Sequence, residues 1–227
     1  MDSGFAALRR PGMTTMMVVN STPPTLGLVL AGGLARRMGG GDKPLKTVGG
    51  VTILDRVLGR LRPQCRAIVL NANGDPARFA STGLPVIADD VPDFAGPLAG
   101  ILAGLDWAAA HAPDVATIVS VPGDCPFLPR DLVVRLHQAR QAEGLPLACA
   151  RSGEWRHPVV ALWPVALRAD LRAVVTTEGL RKIEVWTARY GVALADWPTA
   201  PVDPFFNVNT PEDAAAADRI ATQHPDA

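Results

Sequence analysis

Apolar and polar positions along the chain fall into two kinds of block that alternate. Residues 26–30 (LGLVL), 67–70 (AIVL) and 117–121 (TIVSV) are short, rich in β-branched residues and lack polar alternation, the pattern of strands buried on both faces. A shorter run at 85–87 reads as another strand. Between these, 52–61 has a helical period. Behind Pro97, Leu98, Ile101, Leu102 and Leu105 follow at i, i+3, i+4 and i+7, one apolar stripe of a helix. The second half continues with a helix at about 130–141 and a strand pair, 147–150 and 158–162, around a polar turn at 151–157. Helical patterns follow at about 165–175 and 180–188, then a strand at 192–195. Residues 206–208 lead into Thr210-Pro211-Glu212-Asp213, a helix start with Thr as N-cap and acids near the positive dipole end.

Strands alternating with helices predict an α/β fold of three layers, α/β/α, around a mostly parallel, Rossmann-like sheet. Such sheets bind ligands at the carboxyl ends of their strands. The segment from Gly32 to Lys43, and Asn71, Asp89 and Asp124, all fall just after predicted strands and should converge on one cleft.

Composition narrows the partners. Of 227 residues, 48% are hydrophobic and 19% charged, enough apolar material for a folded core. Lys plus Arg equals Asp plus Glu at 22 each, so no global field draws the chain to nucleic acid or a membrane, and any anion must be held locally. Cys65, Cys125 and Cys149 are widely spaced and form neither a disulfide framework nor a CxxC pair, which points to the cytoplasm. No apolar run approaches a membrane span. Residues 1–25 read as an unstructured leader, with Met13, Met16 and Met17 as alternative starts, and 26–227 as a single domain.

The most informative segment is LAGGLARRMGGGDKPL, residues 30–45. Glycines let backbone N–H groups turn inward as a nest for phosphate oxygens, and Arg36, Arg37 and Lys43 can add charge. The lysine is preceded by Asp42 and followed by Pro44, which rules out a Walker loop; no GxGxxG opens a helix, which rules out the dinucleotide fingerprint. A flexible surface loop is the bland alternative.

At this point the chain resembles the molybdenum cofactor guanylyltransferases, within the nucleotidyltransferases that carry a LAGGxxxRMGxxK loop. The resemblance continues through VLNAN (69–73), VIADD (86–90), GPLAG (96–100), VPGDCPFLP (121–129), RHPVVAL (156–162) and FNVNTPED (206–213), in family order. It implies a nucleotide-diphospho-sugar transferase-like fold. It also implies transfer of GMP from GTP to a molybdopterin-type molybdenum cofactor, with release of pyrophosphate, Mg²⁺ as the metal, and molybdoenzymes or their chaperones as further partners. A phosphate monoester nucleophile is already ionised at neutral pH. Such a reaction therefore calls for alignment and charge neutralisation rather than a Ser-His-Asp or Cys-His constellation.

Carried to residues, the resemblance makes Lys43, Arg37 and Asp124 the catalytic candidates. Asp124 is the metal ligand, or else a turn or N-cap aspartate. The nucleotide is assigned to Leu30, Ala31, Gly32, Gly33, Lys43, Asn71, Asp89 and Asp124. Either Asn71 or Asp89 would read guanine, whose N1–H and amino group form a donor pair. Gly96 and Gly100 are an anion or ribose contact, or close helix–sheet packing. His157, with Arg156, binds the pterin or is structural. Asn207 and Asn209, two apart as on a strand, face the ligand together or cap the following helix. Cys125 and the tryptophans at 155, 163, 186 and 197 read as packing residues. The rivals are a molybdenum cofactor cytidylyltransferase or a sugar- or alcohol-phosphate nucleotidyltransferase on the same scaffold, and a non-catalytic GTP-binding adaptor. The presence of both Lys43 and Asp124 favours catalysis.

Overall fold

A computed structural model describes residues 22–32, 43–91 and 96–225. In chain order the elements are β1 (Thr25–Leu30), a 3-10 turn (Lys43–Leu45), the hairpin strands β2 (Thr47–Val48) and β3 (Val51–Thr52), and α1 (Ile53–Leu61). Next come β4 (Ala67–Asn71), β5 (Val86–Ile87), α2 (Pro97–His111), β6 (Thr117–Pro122), α3 (Leu132–Glu143), β7 (Leu147–Ser152) and β8 (Trp155–Pro164). The last are α4 (Arg168–Thr177), α5 (Ile183–Thr187), β9 (Val192–Trp197) and α6 (Pro211–Gln223).

Seven strands form one sheet in the order β5-β4-β1-β6-β8-β7-β9. β1 pairs in parallel with both β4 and β6, β4 with β5, and β7 with β9. Only β8 runs against its neighbours, antiparallel to β6 and to β7. The mostly parallel, three-layer arrangement is therefore the one the alternation predicted. Two apolar clusters cover the two faces. Val29 of β1 packs in the first with Ile53, Val57 and Leu61 of α1 and Leu132 and Leu136 of α3. Leu26 and Leu28 face the second, with Ile101, Leu102 and Leu105 of α2, Leu171 of α4 and Trp186 of α5. Successive side chains of a strand point to opposite faces, and here both faces are covered, which is why β1 shows no polar alternation.

Several boundaries move. β1 begins at Thr25, which is 1% exposed, one residue before the strand start read from the sequence; residues 1–21, most of the expected leader, lie outside the described residues. The polar stretch 151–157 is mostly strand: β7 runs to Ser152, β8 starts at Trp155, and the turn is Gly153-Glu154 with Gly153 at φ 55°. Edge polarity hid the pairing, because most of these residues are polar and Gly153 to Arg156 face solvent at the end of the ladder. The 165–175 pattern divides into a 3-10 turn (Val165–Leu167) and α4, and the 180–188 pattern shrinks to the five residues of α5. Residues 206–208 are not a strand. The β2–β3 hairpin, which the sequence reading did not anticipate, turns on Gly49 and Gly50, both at positive φ. Trp163 and Trp186 stack in the core with centroids 5.9 Å apart, and Trp197 is 6% exposed, whereas Trp155 is 75% exposed. No described helix is long and apolar enough to cross a membrane.

One buried titratable group ties the start of the sheet to α3. His137 Nε2 lies 2.8 Å from Thr25 Oγ1, which donates to Pro23 O at 2.8 Å. Burial, with Arg140 adding to it, pushes His137 down from 6.5 to about 4. The unfolded chain therefore takes up the proton first as pH falls. Its contribution to stability is full above about pH 6.5 and is lost on acidification toward pH 4, with a total on the order of 3 kcal/mol. Urea unfolding at stepped pH should show this slope, and His137→Gln should flatten it.

Candidate active site

The chain moves from β1 outward to β4 and β5, then crosses back to β6 on the other side of β1. That reversal opens a crevice between the carboxyl ends of β1 and β6, where open α/β sheets bind ligands. The two loop stems are drawn together there. Gly123 N–H donates to Leu30 O at 2.9 Å, and Ala31 N–H to Asn71 O at 2.8 Å. A Cβ at position 123 would lie 3.2 Å from Leu30 O and 3.2 Å from Pro44 Cγ, so glycine is what lets the β6 turn descend onto both.

Asp124 follows in that turn. Its Oδ2 accepts from Lys43 Nζ at 2.5 Å, and Lys43 also donates to Asn209 Oδ1. Lys43 is 8% exposed although charged, and the 3-10 turn that carries it buries Pro44 as well. The other carboxylate oxygen, Asp124 Oδ1, is buried and has no hydrogen-bond partner among the described residues. An orphaned carboxylate oxygen at this depth is costly unless a cation or donor meets it.

The asparagine segment is fixed from both ends. Val208 N–H donates to Asp124 O at 3.0 Å, and Val208 is fully buried. Asn207 Oδ1 accepts from Cys125 Sγ at 2.8 Å. Burial, with Asp124 adding to it, raises the Cys125 thiol well above its ordinary value, so it stays a neutral donor rather than a nucleophile. Asn209 N–H and Thr210 N–H both donate to Asp213, while Thr210 Oγ1 accepts from Asp213 N–H, a capping box at the start of α6. The strand expected here is absent. The capping role and the site-facing role coexist, because the backbone of Asn209 caps α6 while its side chain reaches Lys43.

On the other side of the crevice Asn71 is buried at the end of β4. Its amide donates to Asp89 Oδ1 at 2.9 Å and Ile87 O at 3.3 Å. Asn73 donates to Asp89 Oδ2 at 2.9 Å and its own Oδ1 accepts from Asp89 N–H at 2.8 Å. The sequence reading overlooked Asn73, although it closes the VLNAN motif and sits two residues beyond Asn71. Gly100 of α2 touches this group: a Cβ there would collide with the Asn71 amide and come within 2.8 Å of Leu30 Cδ2. Close helix–sheet packing thus describes Gly100, and Gly96 is the N-cap of α2.

Leu30 ends β1, and Ala31 and Gly32 begin the loop after it. Gly33, Arg36, Arg37 and Asp42 lie outside the described residues. His157, half-buried on β8, shares a hydrogen bond of 2.8 Å with Ser152 Oγ and lies 4.5 Å from the Phe205 ring. Burial holds it below the ordinary histidine range, opposed by Asp203. It is joined to Asp124 by a cavity of about 320 Å³ that Cys125, Arg156, Pro158 and Asn207 also line. Lys43, Asp124, Asn207, Asn209 and His157 therefore converge, with Asn71 and Asp89 as a second group across the β1 loop.

The MobA-like NTP transferase domain matches residues 27–190. A molybdenum cofactor guanylyltransferase of Nitrobacter hamburgensis is 62% identical over 199 residues, 88% of this chain and 95% of that protein. Among solved structures, molybdopterin-guanine dinucleotide biosynthesis protein A of Archaeoglobus fulgidus superposes with a TM-score of 0.69 at 24% identity, covering 88% of this chain and all of that one. A Mycobacterium tuberculosis protein solved in complex with manganese gives a TM-score of 0.61 at 19% identity, over 86% of this chain and 98% of that one. The last two show the fold; with the domain match and the 62% identity, the chain belongs to the molybdenum cofactor guanylyltransferases, a family of nucleotidyltransferases.

Proposed function

We propose that the crevice around Lys43, Asp124 and Asn209 is where GMP is transferred from GTP to the phosphate of a molybdopterin-type cofactor, forming the guanine dinucleotide and pyrophosphate. The observation that carries this residue assignment is the partly buried Lys43–Asp124 pair with its buried, unpartnered Asp124 Oδ1. An acceptor phosphate needs no base to deprotonate it. The residues have to align two phosphates and offset their charge.

Lys43, held by Asp124 and Asn209, places an ammonium at the mouth of the β1 loop, where it can meet the triphosphate as a point charge. Asp124 Oδ1 is the site's metal ligand. Among the described residues no group of three or more His, Cys, Asp or Glu could hold a metal unaided. That donor set suits Mg²⁺, which keeps waters and is completed by one or two carboxylates and substrate phosphates; when bound it neutralises charge on the phosphates. Asn71 and Asp89 form the base pocket, with Asn73 holding Asp89 from outside. His157 and the cavity beside Asp124 receive the acceptor. The three cysteines are free, in keeping with a reducing cytosol.

Asp124→Asn is expected to lower kcat for pyrophosphate release by about 10²- to 10³-fold. Lys43→Met should do the same and also lower Tm, since it strands a partly buried carboxylate. Wild-type rates in both variants would remove the catalytic assignment. With four triphosphates compared, Asp89→Ala should lose at least about tenfold of the preference for GTP over CTP and ATP. A preserved preference would place base recognition elsewhere. Gly100→Ala, which pushes on Asn71, should raise KM for GTP severalfold while leaving KM for the acceptor unchanged, as steady-state kinetics with each substrate varied would show.

A further inference from the structure

The strand that runs against the others is also broken. Cys149 pairs with Ala161 but the next residue, Ala150, pairs with His157, so one step along β7 matches four along β8. Residues 158–160 have no ladder partner there, a bulge of the kind that re-aims side chains beside active sites. The carbonyl this frees is not left bare. Ser120 Oγ donates to Val159 O at 2.5 Å and accepts from Trp163 Nε1 at 2.7 Å, and both Ser120 and Trp163 are at most 1% exposed. The bulge is thus pinned from within the sheet.

A cavity of about 180 Å³ lies against the break, between the sheet and α5. Its floor is apolar, including Cys149, Ala161 and Trp163, and Arg156 and Glu184 line it along with Pro158. Arg156 and Pro158 also line the cavity that reaches Asp124, so the two spaces adjoin around them. No hydrogen bond or ion pair with another described residue engages the Arg156 guanidinium or the Glu184 carboxylate, and they do not pair with each other. Both act on the Cys149 thiol. Burial pushes Cys149 up to about 11, the His157 backbone and Arg156 draw it down, and Glu184 pushes it up again. An apolar slot lined at its solvent-exposed side by an unengaged cation toward Asp124 and an unengaged carboxylate suits a flat heterocycle. Such a ligand would be anionic at one end and carry hydrogen-bond donors at the other.

Resting on the proposed function, we propose that this slot receives the pterin ring of the acceptor, with Glu184 accepting from its ring N–H and exocyclic amino group and Arg156 lying toward the acceptor phosphate. Guanine presents the same donor pair, so the nucleotide base is the competing occupant.

Fluorescence titration of the full chain with 6-hydroxymethylpterin and 6-hydroxymethyllumazine, which replaces the amino group by a carbonyl, tests this. The wild type should prefer the pterin by about tenfold or more, and Glu184→Gln should abolish most of that preference. Saturating GTP should leave the pterin bound. Equal affinity for the two heterocycles, an intact preference in Glu184→Gln, or displacement by GTP would each overturn the assignment. Ser120→Ala, checked by thermal melting, should weaken pterin binding while GTP affinity stays within about twofold. Unchanged pterin affinity would show that the pinned bulge does not shape the slot. Failure of the underlying activity reads differently: wild-type enzyme would then release no pyrophosphate from GTP with molybdopterin, whatever the pterin titration gave.

Discussion

A carboxylate held against a lysine at the carboxyl end of a mostly parallel sheet organises everything around it. Asp124 gives one oxygen to Lys43 and keeps the other unpartnered among the described residues, while Lys43 divides its donors between Asp124 and Asn209. Neither charge would be tolerated at this depth alone, and the pair is tolerable because three separate chain segments close on it. Gly123 brings the β6 turn onto the β1 loop stem, the Lys43–Leu45 turn supplies the cation, and the capping box of α6 fixes Asn209. Substrate phosphates placed there, as proposed, would meet charges that are already arranged, the condition under which electrostatic stabilisation costs least at the moment of reaction.

The same economy of placement separates the two residue groups proposed for the two substrates. Residues after β4 and β5, Asn71, Asn73 and Asp89, form one hydrogen-bonded group on one side of β1. Residues of β8 and the asparagine segment, His157 and Asn207, lie on the other, against the cavity beside Asp124. The parallel half of the sheet thus carries the elements proposed for the nucleotide. The one antiparallel strand, with its bulge, carries the elements assigned to the acceptor. A bulge can open a slot without breaking the fold because Ser120 and Trp163 satisfy the carbonyl it frees.

How much of this the chain declared in advance follows from which interactions are local. The buried strands at β1, β4 and β6 and the α2 stripe were legible because period and β-branching act within a few residues. Lys43, Asp124 and the asparagines were marked by motifs in order, since glycine-rich loops and strand ends are local devices too. The β7–β8 hairpin was found but its length was not. Its outer residues are polar except for the exposed Trp155, so apolar periodicity has little to register there. Residues 206–208 looked like strand because of their apolar ends, yet their backbone N–H groups bond to Asp203 O and Asp124 O rather than to a ladder.

By itself, then, the sequence determined the α/β class, the membership of a nucleotidyltransferase family and most of the residues at the crevice. Only the tertiary structure decided which of them touch: that Lys43 binds Asp124 across 81 positions and Asn209 across 166, that Asp89 is clasped by Asn73 as well as Asn71, and that Arg156 and Glu184 line one slot. The physical reason is range. Propensity, capping and glycine geometry are written residue by residue, whereas the pairing of a buried charge depends on where distant strands end, and no local pattern encodes that. The opening loop shows both halves. Its lysine was recognisable from the motif, but the carboxylate that holds it became visible only in the fold.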